Sequence, residues 1–234
     1  MTPKQRLIAV LISIGVVVGT TYGCTHNDTN ELVQSTTSTT ASAPSAQETA
    51  QKKENAHNTI YQIFANSAAR YDKVEKNYRF SNPVTNSAVV NWSAYVDQSG
   101  KLTGPLITFR TSQPITLSTE WIFWDEVVFS SSTGKFDYKM PGVIAGQSGG
   151  DKYISLTEQC ANEYATISIR DIHQGLTILT TGTDPIMRFK GERIYDYELT
   201  EEDVTNLKNS LALFDARNID NQLDFAKIQE IANK

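Results

Sequence analysis

Between residues 84 and 199 apolar side chains recur at close to every second position, and this alternation limits the fold more than any other feature of the chain. A period of two is that of a β-strand, which points successive side chains to opposite faces. Residues 88–96 are rich in β-branched and aromatic types, and Asp97-Gln98-Ser99-Gly100 then reads as a turn. Further strands are expected at residues 106–109, 121–129, 135–138, 153–156, 164–169, 176–179, 186–189 and 194–197. Residues 121–129 carry four large apolar residues in a row, Trp121 to Trp124, as a central strand covered on both faces would. Lys190-Gly191-Glu192-Arg193 reads as a hairpin tip. About eight to ten short strands with closely spaced turns predict a mainly β fold, an antiparallel sandwich or curved sheet.

Helical patterns flank this region. Ile60, Ile63, Phe64, Ser67, Ala68, Tyr71 and Val74 fall at three- and four-residue spacing, which predicts an N-terminal helix ended before Asn82-Pro83. At the other end Thr200 can cap a helix whose first turn holds Glu201, Glu202 and Asp203, with Val204, Leu207, Leu211 and Phe214 as its apolar stripe. A last amphipathic helix is expected over residues 221–232.

The first residues follow different physics. Lys4 and Arg6 precede a nearly unbroken apolar run, residues 7–19, too short to cross a hydrocarbon core that takes ~20 residues. Thr21-Tyr22-Gly23-Cys24 follows. A basic start, a short apolar core and a cysteine directly after glycine resemble the lipobox leader of bacterial lipoproteins, with Thr21 where that family usually has leucine. The resemblance implies that residues 1–23 are a signal peptide and that Cys24 receives diacylglycerol and becomes the N-terminus. It also implies a place outside the cytoplasm on a bacterial membrane. Thr25, where aspartate would retain such a protein at the inner membrane, implies the outer membrane in a two-membrane cell.

Residues 35–45 contain no large apolar side chain, and Gln, Lys, Glu and Asn follow. Residues 24–58 are therefore expected to form a disordered, Ser/Thr-rich tether, because too little surface can be buried to offset chain entropy. Residues 59–234 are expected to be one β-rich domain with C-terminal helices. In overall layout this body resembles the sandwich-like domains of other bacterial envelope lipoproteins, a likeness that transfers no site residues.

Composition narrows the chemistry. Lys plus Arg total 21 against 26 Asp plus Glu, a net charge of −5, which argues against a nucleic-acid partner. Two cysteines and three histidines are too few for a disulfide scaffold or a four-thiolate zinc site. No glycine-rich nucleotide motif and no EF-hand loop are present, so neither cofactor nor metal is inferred.

Gly146-Gln147-Ser148-Gly149-Gly150 fits the G-x-S-x-G pattern, but a nucleophile elbow needs a helix after it, and the residues after it read as a strand. His173 is the only histidine downstream, so Ser148, His173 and an acid form one candidate catalytic set. Cys160 and His173 form a possible thiolate pair; a lone cysteine among strands is more often a small buried hydrophobe. Asp125, Glu126, Asp137, Asp184, Glu192, Asp196 and Glu198 supply carboxylates for glycoside hydrolysis, although Asp196 and Glu198 share one strand face of the kind that solvent covers. Trp92, Trp121 and Trp124 suit sugar stacking or, in strands this apolar, the core. Together these readings predict a lipid-anchored envelope protein with a non-catalytic role, either structural or in binding an envelope protein or glycan. The competing reading is an envelope hydrolase using Ser148 with His173, or a carboxylate pair.

Overall fold

The strongest alternation in the chain is realised as a strand: residues 90, 92, 94 and 96 are buried, and 91, 93, 95 and 97 are not. The structure, a computed structural model, describes residues 45–83, 89–114, 121–141, 152–157 and 160–234. The described residues lie in one folded unit, Ala43–Lys234. In chain order they form α1 (Ala46–Ala65), β1 (Ala68–Asp72), β2 (Asn77–Ser81), β3 (Val90–Asp97), β4 (Leu102–Pro114), β5 (Glu126–Ser131) and β6 (Gly134–Lys139). Then come β7 (Lys152–Thr157), β8 (Cys160–Ser168), α2 (Ile169–Thr181), β9 (Ile186–Lys190), β10 (Ile194–Glu198), α3 (Glu201–Ile219) and α4 (Phe225–Ala232).

The strands build two antiparallel sheets, one of six strands in the order β1-β2-β3-β4-β8-β7 and one of four in the order β10-β9-β5-β6. The mainly β fold with an N-terminal helix and two C-terminal helices is as the sequence predicts. Helices α1 and α3 pack on each other, α3 lies on β3 and β4, and α2 lies on β5, β6 and β8. Phe64 of α1 stacks on Phe80 of β2 with ring centroids 3.9 Å apart, and Phe109 of β4 meets Phe129 of β5 at 5.8 Å, joining the inner faces of the two sheets. Burying side chains of this size is the dominant stabilising term, roughly 1.5–3 kcal/mol each. Among the described residues no helix is long and apolar enough to cross a membrane.

Four expectations are corrected. Residues 46–58, assigned to the tether, are helical. Ser45 caps α1 reciprocally with Glu48, and the Ala, Gln, Glu and Lys that follow favour a helix without an apolar stripe. The predicted helix over residues 60–74 ends at Ala65, and residues 68–81 form a hairpin turned through Lys76, whose φ is +51°. Residues 176–179 lie in α2, where Ile169, Ile172, Leu176 and Leu179 are buried at helical spacing. Finally, residues 121–125 precede β5 and are not a strand; β5 is nevertheless internal to its sheet, between β9 and β6.

Candidate functional site

In segment 121–125 the N–H groups of residues 122–124 go to a side chain, while that of Asp125 goes to the Lys190 carbonyl of β9 at 2.9 Å. Thr111 and Glu163 are paired across β4 and β8 and are both buried on the inner face. Oε1 of Glu163 accepts the backbone N–H groups of Ile122 and Phe123, each at 2.9 Å, and Oε2 accepts that of Trp124 at 3.2 Å. Trp124 donates its indole N–H to the Thr111 hydroxyl at 3.0 Å and packs edge-on against Phe189. The buried polar pair therefore satisfies three backbone N–H groups and one indole N–H of this segment. Trp92 and Trp124 are core residues, Trp92 through the alternation of β3 and Trp124 from a segment that is not a strand. Trp121 is half-buried and stacks on Phe123 at 5.6 Å.

Of the hydrolase candidates the structure describes His173 and Cys160. Ser148 and the glycine-rich motif around it, like Cys24, lie outside the described residues. His173, on α2, has its Nε2 3.5 Å from Asp215 of α3 and its ring against Phe214. Cys160 opens β8 and His173 lies beyond its other end, so a nine-residue strand separates them by on the order of 20 Å. They form no thiolate pair, and Cys160 is half-buried with a free thiol.

Four of the seven candidate carboxylates, Glu126, Asp137, Asp196 and Glu198, share the outer face of the four-stranded sheet, and Asp125, Asp184 and Glu192 lie outside its strands. The register sets Lys139, Glu126, Lys190 and Ile194 in one row, Asp137, Val128, Arg188 and Asp196 in the next, and Lys135, Ser130, Ile186 and Glu198 in the third. A shallow depression of about 320 Å³ opens among Val128, Ser130, Lys135, Ile186, Arg188 and Asp196. Arg188 grips Asp196 with both arms of its guanidinium, Nε to Oδ1 at 2.6 Å and Nη2 to Oδ2 at 2.7 Å. That fork holds the Asp196 carboxyl below its usual range. Lys190 donates to Glu126 at 2.6 Å, and Lys135 lies 3.1 Å from Asp137. The long side chains cover Val128, which is buried although it faces outward. Asp196 and Glu198 share this face, as the spacing predicts. Asp184 and Glu198 border a second depression of about 290 Å³ with Pro185 and Leu199.

Among the described residues no group of three or more His, Cys, Asp or Glu is placed to hold a metal ion. The cations of the sheet face were not singled out in the sequence. Their signal was the opposed charge of two strands joined by a tight hairpin, Arg188 and Lys190 against Asp196 and Glu198. Comparison with protein-family models, with curated proteins and with solved structures finds no match to this chain.

Proposed function

We propose that the chain is a lipid-anchored protein of the bacterial cell envelope, held on the outer side of its membrane by diacylglycerol on Cys24. Its body is a non-catalytic module that meets an envelope protein or glycan through the outer face of the four-stranded sheet. The observation that carries this reading is the two-armed bond from Arg188 to Asp196. A general acid for glycoside hydrolysis needs a carboxyl whose pKa is raised so that it keeps its proton. Asp196 is shifted the other way. Glu126 and Asp137 are also occupied by lysines. Charges paired in this way contribute fixed hydrogen-bonding geometry over an apolar floor, which suits selective binding better than proton transfer. The leader and the glycine-cysteine junction support the anchor.

Ile194 is 64% exposed at the end of the first row, next to the depression. A photo-crosslinking residue at Ile194, in envelope membranes, is expected to give one discrete adduct that Arg188→Glu weakens. If the purified chain instead turns over an envelope glycan or ester, and Asp196→Asn or Ser148→Ala abolishes that turnover, the hydrolase reading replaces this one.

A further inference from the structure

A second charged feature lies on the other sheet. On β1 and β2, Arg70 and Arg79 are directly opposed, and Tyr95 of β3 stands opposite Arg79 on its other side. Side chains opposed in this way have Cβ atoms about 4.5–5.5 Å apart, and like charges at that spacing repel. Both arginines are exposed, and neither has a hydrogen bond or ion pair with another described residue. The neighbouring acids are occupied elsewhere. Oδ1 of Asp72 accepts the N–H groups of Val74 and Glu75. Oδ1 of Asp97 accepts the Ser99 hydroxyl and the N–H groups of Ser99 and Lys101. Each acid thus ties off a turn with one oxygen. The Glu75 and Val74 N–H groups, and Arg70 acting through space, hold the Asp72 carboxyl below its usual range, and neither guanidinium group makes a hydrogen bond with another described residue.

These residues border a depression of about 190 Å³, lined by Arg70, Asp72, Asn77, Arg79 and Tyr95. Asn77 also borders this depression. Its Oδ1 is buried and makes no hydrogen bond among the described residues. No such bond fixes that oxygen, so the amide can turn its NH₂ towards an anion without breaking one. The β1–β2 turn carries Lys73, Glu75 and Lys76, one net positive charge.

The geometry points to a phosphoryl-binding site on the six-stranded sheet, in which Arg70 and Arg79 bracket one phosphate group and Tyr95 and Asn77 donate to its remaining oxygens. Two guanidinium groups can take the oxygens of one tetrahedral phosphoryl group from two sides; a planar carboxylate would occupy only one fork. A depression this small takes one such group. The source is either free phosphate or a phosphodiester headgroup; both present an anionic phosphoryl edge, the diester with two unesterified oxygens and free phosphate with four. The site adds a ligand class to the binding-module reading but does not rest on the ion-paired face of the other sheet, so Arg188→Glu leaves it unchanged.

The test is calorimetric titration of the purified full chain in detergent with inorganic phosphate and, separately, with glycerophosphoglycerol, a soluble phospholipid headgroup. Arg79→Gln and Arg70→Gln are each expected to weaken binding by about tenfold or more. Lys208→Gln, which removes one exposed charge from α3, should leave it unchanged. Arg79→Gln should also raise the ligand-free melting temperature, because it removes the opposed charge. Tighter binding of inorganic phosphate identifies the free anion as the source, and tighter binding of the diester identifies a headgroup. Binding of neither, or equal binding by Arg79→Gln and wild type, overturns the proposal.

Discussion

Glu163 accepts the backbone N–H of Trp124 at 3.2 Å, from one sheet to the segment that feeds the other. With the bonds to Ile122 and Phe123, this one side chain replaces a neighbouring strand for three residues. Glu163→Ala removes the carboxylate that three N–H groups donate to, at about 1–3 kcal/mol for each buried one that finds no other acceptor. Glu163→Gln keeps one accepting oxygen and turns an NH₂ towards a donor, so it should destabilise by less. Urea denaturation of both variants checks the order; a loss under about 1 kcal/mol for Glu163→Ala would contradict it.

The two tryptophans of this segment should respond differently. Trp124 is fully buried and Trp121 only half-buried. Trp124→Ala should cost about 3–5 kcal/mol or prevent soluble expression, and Trp121→Ala should cost less. Iodide should quench Trp121 far more than Trp124, read from single-tryptophan variants.

Helix α1 is part of the folded body. Ala56 is buried, and Lys53 and His57 lie 3.2 and 3.6 Å from Asp220 at the end of α3. A chain beginning at Ala43 should melt within a few degrees of the full chain. A chain beginning at Asn58 should melt well below both, because it lacks these contacts and the Ser45 cap. Equal melting of the two shortened chains would return residues 46–57 to the tether.

These predictions show where sequence reading succeeded. The Thr200–Asp203 capping box, the turn after Asp97 and the tip between Lys190 and Ile194 form as expected, because each depends on residues close in the chain. Helix α2 was not legible. Its Ile and Thr residues favour strands, its Ser168 cap makes no side-chain bond, and only packing on β5 and β6 selects the helix. Segment 121–125 was misread because its apolar run signals burial, while its partner, Glu163, lies some 40 residues away. The ion-paired face was half legible. The acids were visible, but pairing Arg188 with Asp196 required the hairpin register.

Acid should loosen the α1–α3 contact. The Asp220 carboxyl is held below its usual value of 3.8 by the Gln222 N–H, then by Lys53 and His57, and Asp196 is held below 3.8 by Arg188. A depressed pKa contributes stability that is present above the unfolded value and lost as pH falls through the folded one. The melting temperature should therefore drop below about pH 3.8. Asp220→Asn should melt lower than wild type at neutral pH and converge with it in acid. Parallel curves would contradict this assignment.

The anchor is tested most directly by mass spectrometry of the N-terminal peptide after expression in a bacterial host, with membrane fractionation of wild type and Cys24→Ser. The account predicts a wild-type chain that begins at a diacylglyceryl-modified Cys24 and stays with the membrane. It predicts that Cys24→Ser either keeps its leader or is released. A Cys24→Ser chain that is cut and fractionates like wild type, or an unmodified Cys24, would contradict it.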